Sequence, residues 1–192
     1  MANKESTFTN MVVTLFIVTL AASTTLGFVY ELTREPIAEA KVRKQNMAIR
    51  NVVPKFSNQP SQESYEVAVE GDSLTIYPAE EDGDLVGMAV TSFTNKGYSG
   101  EIRLMVGFKP DGTIHNISVL NHAETPGLGS KIEKSSSSWS EQFNGKNPAD
   151  FQLQVKKDGG DVDAITAATI SSRAYCDAVQ KAYKAFQKGG QK

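Results

Sequence analysis

An uncharged stretch from Phe8 to Tyr30 is the feature that most restricts how this chain folds. Its central part, Met11 to Tyr30, reads MVVTLFIVTLAASTTLGFVY. About twenty helical residues rise roughly 30 Å, which matches the hydrocarbon thickness of a bilayer. The threonines and serines can bond to carbonyls of their own helix, so they do not prevent insertion. We therefore expect a single membrane-spanning helix that is retained as an anchor.

A cleaved signal peptide is the alternative interpretation of the same stretch. Its apolar core would be Met11 to Leu20, followed by the small residues Ala21-Ala22-Ser23. The preceding segment carries only Lys4, offset by Glu5, and no clean A-x-A cleavage site follows. A buried helix of a soluble core is disfavoured, because no polar face interrupts the stretch.

Composition excludes several classes of function for the rest of the chain. The 192 residues carry 20 basic and 22 acidic side chains, which gives a net charge of −2. The chain therefore has no excess of basic residues that would indicate binding to nucleic acid. The only cysteine, Cys176, excludes an intrachain disulfide framework and a Cys₄ metal site. With two histidines, a zinc site would have to rely on carboxylates, and we expect no metal.

The chain is expected to have three parts. Residues 1–30 form the N-terminal tail and anchor, residues 31–64 a connecting helix and linker, and residues 65–192 one domain. Glu35-Pro36 is typical of a helix start, so a separate helix is predicted from there to Val52. Pro54 to Ser64 is polar and predicts a loop.

The first half of the domain predicts a sheet. Five short runs are rich in β-branched and aromatic residues: Tyr65–Val69, Leu74–Tyr77, Leu85–Phe93, Glu101–Phe108 and Thr113–Leu120. In the fourth run Ile102, Leu104, Val106 and Phe108 alternate, which predicts one buried face. Asp82-Gly83 and Lys109-Pro110-Asp111-Gly112 are turn signals. Consecutive strands with short turns favour an antiparallel sheet, and no G-x-G-x-x-G supports a dinucleotide fold.

The last third predicts an α+β fold rather than an all-β one. Ser135–Ser138 is expected to be a loop, Trp139–Phe143 a short helical turn and Phe151–Val155 a further strand. Thr169 to Phe186 predicts an amphipathic helix that ends at Gly189-Gly190. Its apolar face consists of Tyr175, Val179, Ala182 and Phe186.

Two segments are candidates for more than packing. In Glu124-Thr125-Pro126-Gly127-Leu128-Gly129 the Pro-Gly pair predicts a type II turn, and Gly129 lets a bulky group approach the backbone. Asp163 to Ser172 places small and hydroxyl side chains at a helix start, where free N–H groups suit a phosphate. The alternatives are a purely structural turn and ordinary capping by Thr166 or Thr169. A Walker A loop is absent.

These segments resemble motifs of the FMN-binding domain family. Thr166-Ala167-Ala168-Thr169-Ile170-Ser171-Ser172, after Asp163, is similar to its flavinylation motif, Ser/Thr-Gly-Ala-Thr, whose last threonine takes FMN through a phosphoester. His122 to Ile132 and Lys96-Gly97-Tyr98-Ser99-Gly100 also match. The resemblance implies a curved antiparallel sheet with flanking helices. It is greatest to G subunits of Rnf electron-transport complexes, with C subunits of sodium-pumping NADH:quinone reductases as the alternative.

The resemblance implies a flavin site and a role in electron transfer. Thr169 would carry covalent FMN, and the other expected cofactor-binding residues are Thr166, Ala168, Ser171, Glu124, Thr125, Leu128, Gly129, Lys131 and Tyr98. Ala167 stands where the family usually has glycine, and a positive φ there would cost alanine about 1–2 kcal/mol. The chain would relay electrons within a redox-driven ion-translocating complex, without independent catalysis.

The implied partners are the other membrane and redox subunits of the complex and a flavin transferase. The family places the flavin domain on the periplasmic side of the cytoplasmic membrane, although Arg34, Lys41, Arg43 and Lys44 after the anchor favour the cytoplasm by charge count. The competing hypothesis is a membrane-anchored binding module without a cofactor. A hydrolase using Ser171 or a threonine with His122 lacks a nucleophile-elbow motif.

Overall fold

The computed structural model of the protein describes residues 7–190, and its first element is a long helix, α1, from Phe8 to Val52. By length and composition α1 is sufficient to cross a membrane, and its most apolar stretch is not buried within the protein. Hydroxyls in this stretch bond back to the helix, as Thr24 Oγ1 does to the Leu20 carbonyl at 2.8 Å. The predicted hydrogen bonds of threonine hydroxyls to carbonyls of their own helix are therefore confirmed.

The helix continues through Pro36, so the prediction of a separate helix starting there is wrong. A proline inside a helix removes one N–H donor and strains one turn. The residues after it, IAEAKVRKQNMAIR, are mostly strong helix formers, and they extend the ladder of hydrogen bonds beyond that turn. By internal contacts the chain divides into two units, one up to Arg43 and one from Lys44 onward.

The second unit is built on a five-stranded antiparallel sheet in which every strand pairs with its neighbour in sequence. The strands are β1 (Tyr65–Val69), β2 (Asp72–Glu81), β3 (Asp84–Gly97), β4 (Gly100–Phe108) and β5 (Ile114–His122). All five predicted strands are confirmed. The predicted turn at Asp82-Gly83 has φ of 54° and 90°, the left-handed pair that closes a two-residue hairpin.

A second helix, α2 (Thr169–Gly189), packs on one face of the sheet. Its predicted apolar face is buried, and it meets the inward side chains of the central strands. The core formed in this way includes Ile102, Leu104, Val106 and Phe108 of β4.

The opposite face of the sheet is also buried, which the alternation in β4 did not predict. The end of α1 supplies Ala48, Ile49 and Val52 to a second cluster with Tyr77 and Met105. A Cβ on Gly107 would lie 1.7 Å from the Val52 carbonyl oxygen, so the backbone of the helix end rests directly on β4. The sheet is therefore the middle layer of three.

The segment Phe151–Val155 is not a strand of the sheet, and that prediction is wrong. Only Val155 forms a β-bridge, with Val162. The backbone instead pairs locally, since Val162 N–H donates to the Gln154 carbonyl at 3.0 Å and Lys156 N–H donates to the Val162 carbonyl at 2.8 Å. Three short 3₁₀ helices complete the fold: Gly129–Ile132, Ser138–Phe143 and Lys156–Asp158. The second of these is the short helical turn predicted at Trp139–Phe143.

Candidate functional site

Both segments that the sequence singled out meet at one open cleft of about 520 Å³. It lies where the β3–β4 turn, the loop after β5 and the start of α2 come together. This volume is within the usual range of ligand sites. The cleft is lined by Tyr98, Glu124, Thr125, Leu128, Gly129, Ala167, Ala168, Thr169, Ile170 and Ser171.

The loop after β5 contains the predicted type II turn. Gly127 has a φ of 77°, and the Leu128 N–H donates to the Thr125 carbonyl at 3.2 Å. The Ser130 hydroxyl accepts a hydrogen bond from the Gly127 N–H at 2.9 Å and so stabilises the turn. The turn presents Leu128 to the cleft with 42% of its surface exposed.

Gly129 is buried, and the volume that a side chain would need there is already taken. A Cβ at this position would lie 2.7 Å from both Glu124 Oε2 and Ser171 Oγ. The absence of a side chain therefore permits the contact between Glu124 and Ser171. Gly129 also lines the cleft, and the approach of a bulky group to its backbone stays a prediction.

The Glu124 carboxylate joins the three segments that form the cleft. It accepts a hydrogen bond from the Ser99 N–H at 2.9 Å in the β3–β4 turn. It also accepts a short one from the Ser171 hydroxyl in the first turn of α2. Behind it, the Glu124 N–H donates to His122 Nδ1 at 3.0 Å, and His122 Nε2 lies 3.2 Å from Glu133 Oε1.

The start of α2 is capped in neither of the ways that the sequence suggested. Ala168, not Thr166 or Thr169, is the N-cap residue, and no side chain caps it. The Ser172 hydroxyl instead accepts from the Ile165 N–H at 2.9 Å and donates to the Ala168 carbonyl at 3.0 Å. This closes a tight loop over residues 165–168, with Ala167 held at a φ of 63°.

The loop leaves the first N–H groups of α2 unpaired. Within residues 7–190, no acceptor is bonded to the N–H of Thr169, Ile170 or Ser171. Such groups carry the partial positive charge of a helix N-terminus and favour an anion. All three residues line the cleft, and Thr169 is half-buried. A phosphate held near the Thr169 hydroxyl would therefore find donors already in place.

A neighbouring 3₁₀ helix holds the chain that leads into this loop. The Asp163 carbonyl accepts from Trp139 Nε1 at 2.5 Å and from Gln142 Nε2 at 3.3 Å. The Asp163 N–H donates to Gln142 Oε1 at 2.8 Å. These hydrogen bonds hold the backbone at Asp163, where the loop that leads into α2 begins.

Three apolar side chains stand exposed around the cleft. Tyr98 is 70% exposed, Ile170 47% and Leu128 42%. In the described part of the unit from Lys44 onward, only Met47 and Leu85 are other large apolar side chains with comparable exposure. Exposed apolar groups gathered at one cleft are typical of a binding site, and these would suit the faces of a flat ring system.

Two of the predicted site residues do not line the cleft: Thr166, which is exposed, and Lys131. Ala167 and Ile170 line the cleft, although they are not among the site residues predicted from the sequence. Ile170 had a recognisable signal, because it is an apolar residue on a helix but lies off the stripe that packs on the sheet.

Within residues 7–190, no lysine or arginine lines the cleft, and two cations on the segments beside it, Lys96 and Arg173, are already paired. Lys96 Nζ lies 2.6 Å from Asp177 Oδ1, and this hydrogen bond raises the pKa of the Lys96 ammonium. Arg173 donates to both carboxylate oxygens of Asp158 at 2.7 Å, which lowers the pKa of the Asp158 carboxyl below its ordinary value. The main electropositive feature of the cleft is therefore the free backbone at the start of α2.

Comparison with protein families matches the part of the chain that contains the cleft. Residues 97–184 match the family model of the FMN-binding domain. The match begins at the β3–β4 turn and ends within α2, so it includes all the residues that line the cleft.

Comparison with individual proteins gives similarity over most of the chain. The G subunit of the ion-translocating oxidoreductase complex from Erwinia tasmaniensis is 38% identical, over 78% of this chain and 76% of that protein. Its namesake from Aliivibrio fischeri is 35% identical, over 93% and 90%. A third, from Vibrio cholerae, is 37% identical, over 82% and 79%.

Proposed function

The chain belongs to the family of G subunits of ion-translocating oxidoreductase complexes, and on that premise we propose that it relays electrons through FMN attached covalently to Thr169. It is a redox subunit of an ion-translocating complex. The attachment, its position and the side of the membrane are the parts that we propose.

The residues present fit FMN in two ways. The unpaired N–H groups of Thr169, Ile170 and Ser171 suit a phosphate diester, which keeps one negative charge. The exposed side chains of Tyr98 and Leu128 suit the apolar faces of the flavin ring. Bound FMN supplies the one- and two-electron chemistry that the side chains of the protein lack.

A single observation carries the assignment to Thr169. Of the two threonines in the motif, Thr169 lies on the cleft beside the free N–H groups, whereas Thr166 is exposed and does not line the cleft. A covalent tether at Thr169 would prevent dissociation of the flavin while leaving its ring free to face a neighbouring protein of the complex. The chain's own residues would then bind and orient the flavin and would form no bond in a released substrate.

The test is the intact mass of the protein produced with and without a flavin transferase. With the transferase, the wild-type chain should gain the mass of FMN minus water, and the added mass should map to the peptide that contains Thr169. Thr169→Ala should lose the modification and stay folded. Thr166→Ala is the matched control and should keep it.

Each alternative has its own outcome in this experiment. Flavin that remains covalent in Thr169→Ala, or maps to Thr166, refutes the assignment. A wild-type chain that gains no mass and binds no flavin supports the membrane-anchored module without a cofactor.

We further propose that the domain lies on the periplasmic side of a single membrane span. The basic residues after the span are interleaved with Glu31, Glu35 and Glu39, and a large following domain can translocate despite such charges. Protease added to intact spheroplasts should digest the domain and spare the N-terminus. If the domain is digested only after the membrane is breached, it lies on the cytoplasmic side and the proposed topology is wrong.

A further inference from the structure

Glu124 is the only charged side chain that is buried in the described part of the chain, with 4% of its surface exposed. Charged side chains are rarely buried unless they are paired with an opposite charge or carry out a function. Glu124 also lines the cleft, so its carboxylate borders the volume that a ligand would occupy.

No cation among residues 7–190 forms an ion pair with this carboxylate. Its two described hydrogen bonds come from neutral donors, the Ser99 N–H and the Ser171 hydroxyl, and no ion pair within residues 7–190 includes it. Both bonds are donated to Glu124, as suits an ionised carboxylate. The nearby start of α2 contributes partial positive charge, which is weaker than a full ammonium or guanidinium.

Most charged groups on the elements packed against Glu124 are paired with another charged group. His122 and Glu133 contact each other behind its backbone, and Lys96 and Arg173 are held by Asp177 and Asp158. On the adjoining turn, strand and loop lie Tyr98, Lys131 and the pair Arg103–Glu101. Further along α2, Lys181 pairs with Asp72 and Lys184 with Glu70, and the same helix also carries Tyr175, Cys176, Tyr183 and Lys188. The carboxylate is therefore the charged group of the cleft best placed to respond to a change of charge inside it.

We propose that Glu124 takes up one proton when the cleft gains an electron. This inference rests on the proposed function, because the electron must be stored on a redox group in the cleft. The electron comes from a one-electron donor, which is another redox protein of the complex in the cell and a mediator in the experiment. The proton comes from hydronium in the solvent at the open cleft: one O–H bond of hydronium breaks and leaves water, one O–H bond forms on the carboxylate, and the added electron and proton leave the total charge of the cleft unchanged.

The physical reason is repulsion between like charges. Negative charge that arrives beside a buried carboxylate disfavours its ionised form and so drives protonation. By linkage, a proton bound on reduction makes the reduction potential fall as pH rises. A carboxyl that is neutral in both redox states binds no proton on reduction and has no such effect.

The experiment compares the midpoint potential of the flavin-loaded wild-type chain with that of Glu124→Gln across pH. Glutamine keeps the shape, and its amide can accept from the Ser99 N–H and donate to the Ser171 hydroxyl. The two potentials should coincide at low pH. As the pH rises, the midpoint potential of the wild type should fall below that of the variant. The slope of this difference should be at most a tenfold change in the reduction equilibrium constant per pH unit, which is about 59 mV for one electron. At higher pH the difference should become constant.

The control is Glu133→Gln, a carboxylate on the neighbouring segment that does not line the cleft. Its potential should follow the wild type at every pH. A merely structural role of Glu124 would shift the potential by the same amount at all pH values, and that result would overturn the proposal, as would two superimposed curves.

A second measurement needs no variant. The reduced-minus-oxidised infrared difference spectrum of the wild-type protein should gain a protonated-carboxyl band and lose a carboxylate band at neutral pH. Without these bands the proposal fails. Failure of the proposed function is distinguishable, because the wild-type chain would then carry no flavin and show no redox transition.

Discussion

The Ser172 hydroxyl accepts a hydrogen bond from the Ile165 N–H at 2.9 Å, across the loop that leads into α2. Both residues are buried, so water cannot replace either partner. Together with the bond from the Ser172 hydroxyl to the Ala168 carbonyl and the bond from the Ala168 N–H to the Ile165 carbonyl, this bond closes the loop that carries Ala167 and leads into the first turn of α2. A polar side chain in the core of the domain thus shapes a site on its surface.

Replacing Ser172 with alanine should destabilise the domain by about 1–3 kcal/mol, because a buried N–H loses its acceptor. Urea unfolding followed by the fluorescence of the single tryptophan, Trp139, measures the change. Ser136→Ala, at an exposed serine, should leave the midpoint unchanged. Equal midpoints for both variants would show that the bond to Ile165 contributes nothing.

Replacing Ala167 with glycine should stabilise the domain slightly, by up to about 1 kcal/mol. A left-handed conformation costs alanine about 1–2 kcal/mol, and the greater freedom of glycine in the unfolded chain offsets part of this gain. Ala164→Gly, at an exposed alanine without a positive φ, should destabilise. The same unfolding assay should therefore give changes of opposite sign in the free energy of unfolding for the two variants, and changes of the same sign would contradict the prediction.

Replacing Gly129 with alanine should destabilise the domain by about 1–3 kcal/mol and disturb the cleft, because the new methyl group overlaps Glu124 and Ser171. The fraction of chains that carry flavin, measured by intact mass, should fall with it. Gly145→Ala introduces left-handed strain but has no atom within 4 Å of the new Cβ, so flavin loading should persist. Loss of loading in both variants would mean that general instability is responsible.

The Cys176 thiol should be unreactive in the folded protein, because burial raises its pKa to about 12. In the unfolded chain the thiol ionises at an ordinary value near 8.5. Since the folded-state pKa is the higher one, this group's contribution to stability is present below about pH 8.5 and is lost as the pH rises toward 12. Ellman's reagent at pH 8 should modify one thiol per chain only after denaturant is added. Rapid modification without denaturant would contradict this burial.

The strands were predictable because local pattern decides them. Each is a run of β-branched and aromatic residues bounded by turn residues, and each pairs with the next in sequence, so no distant information was needed. Phe151–Val155 has the same composition but bonds to Asp161 and Val162, a few residues ahead. The pattern of one short segment does not reveal that competition.

The cleft was predictable only in part. Its two motifs are recognisable by turn and helix-start chemistry, and they do lie together. The left-handed conformation of Ala167 depends on Ser172, which is five residues away and buried. The volume beside Gly129 is filled by Glu124 and Ser171, which are far apart in sequence. Such relationships belong to the tertiary structure and leave no local signal.

Because each strand of the sheet pairs with the next one in sequence, the order in which the domain folds determines when the cleft forms. Each hairpin can close as soon as its second strand is available, since no pairing waits for a distant segment. Thr169 and the N–H groups beside it belong to α2, which follows all five strands in the chain. The cleft therefore does not exist until this helix has docked on the finished sheet. A group added at Thr169 by an enzyme that recognises the formed cleft would mark only chains that have completed folding.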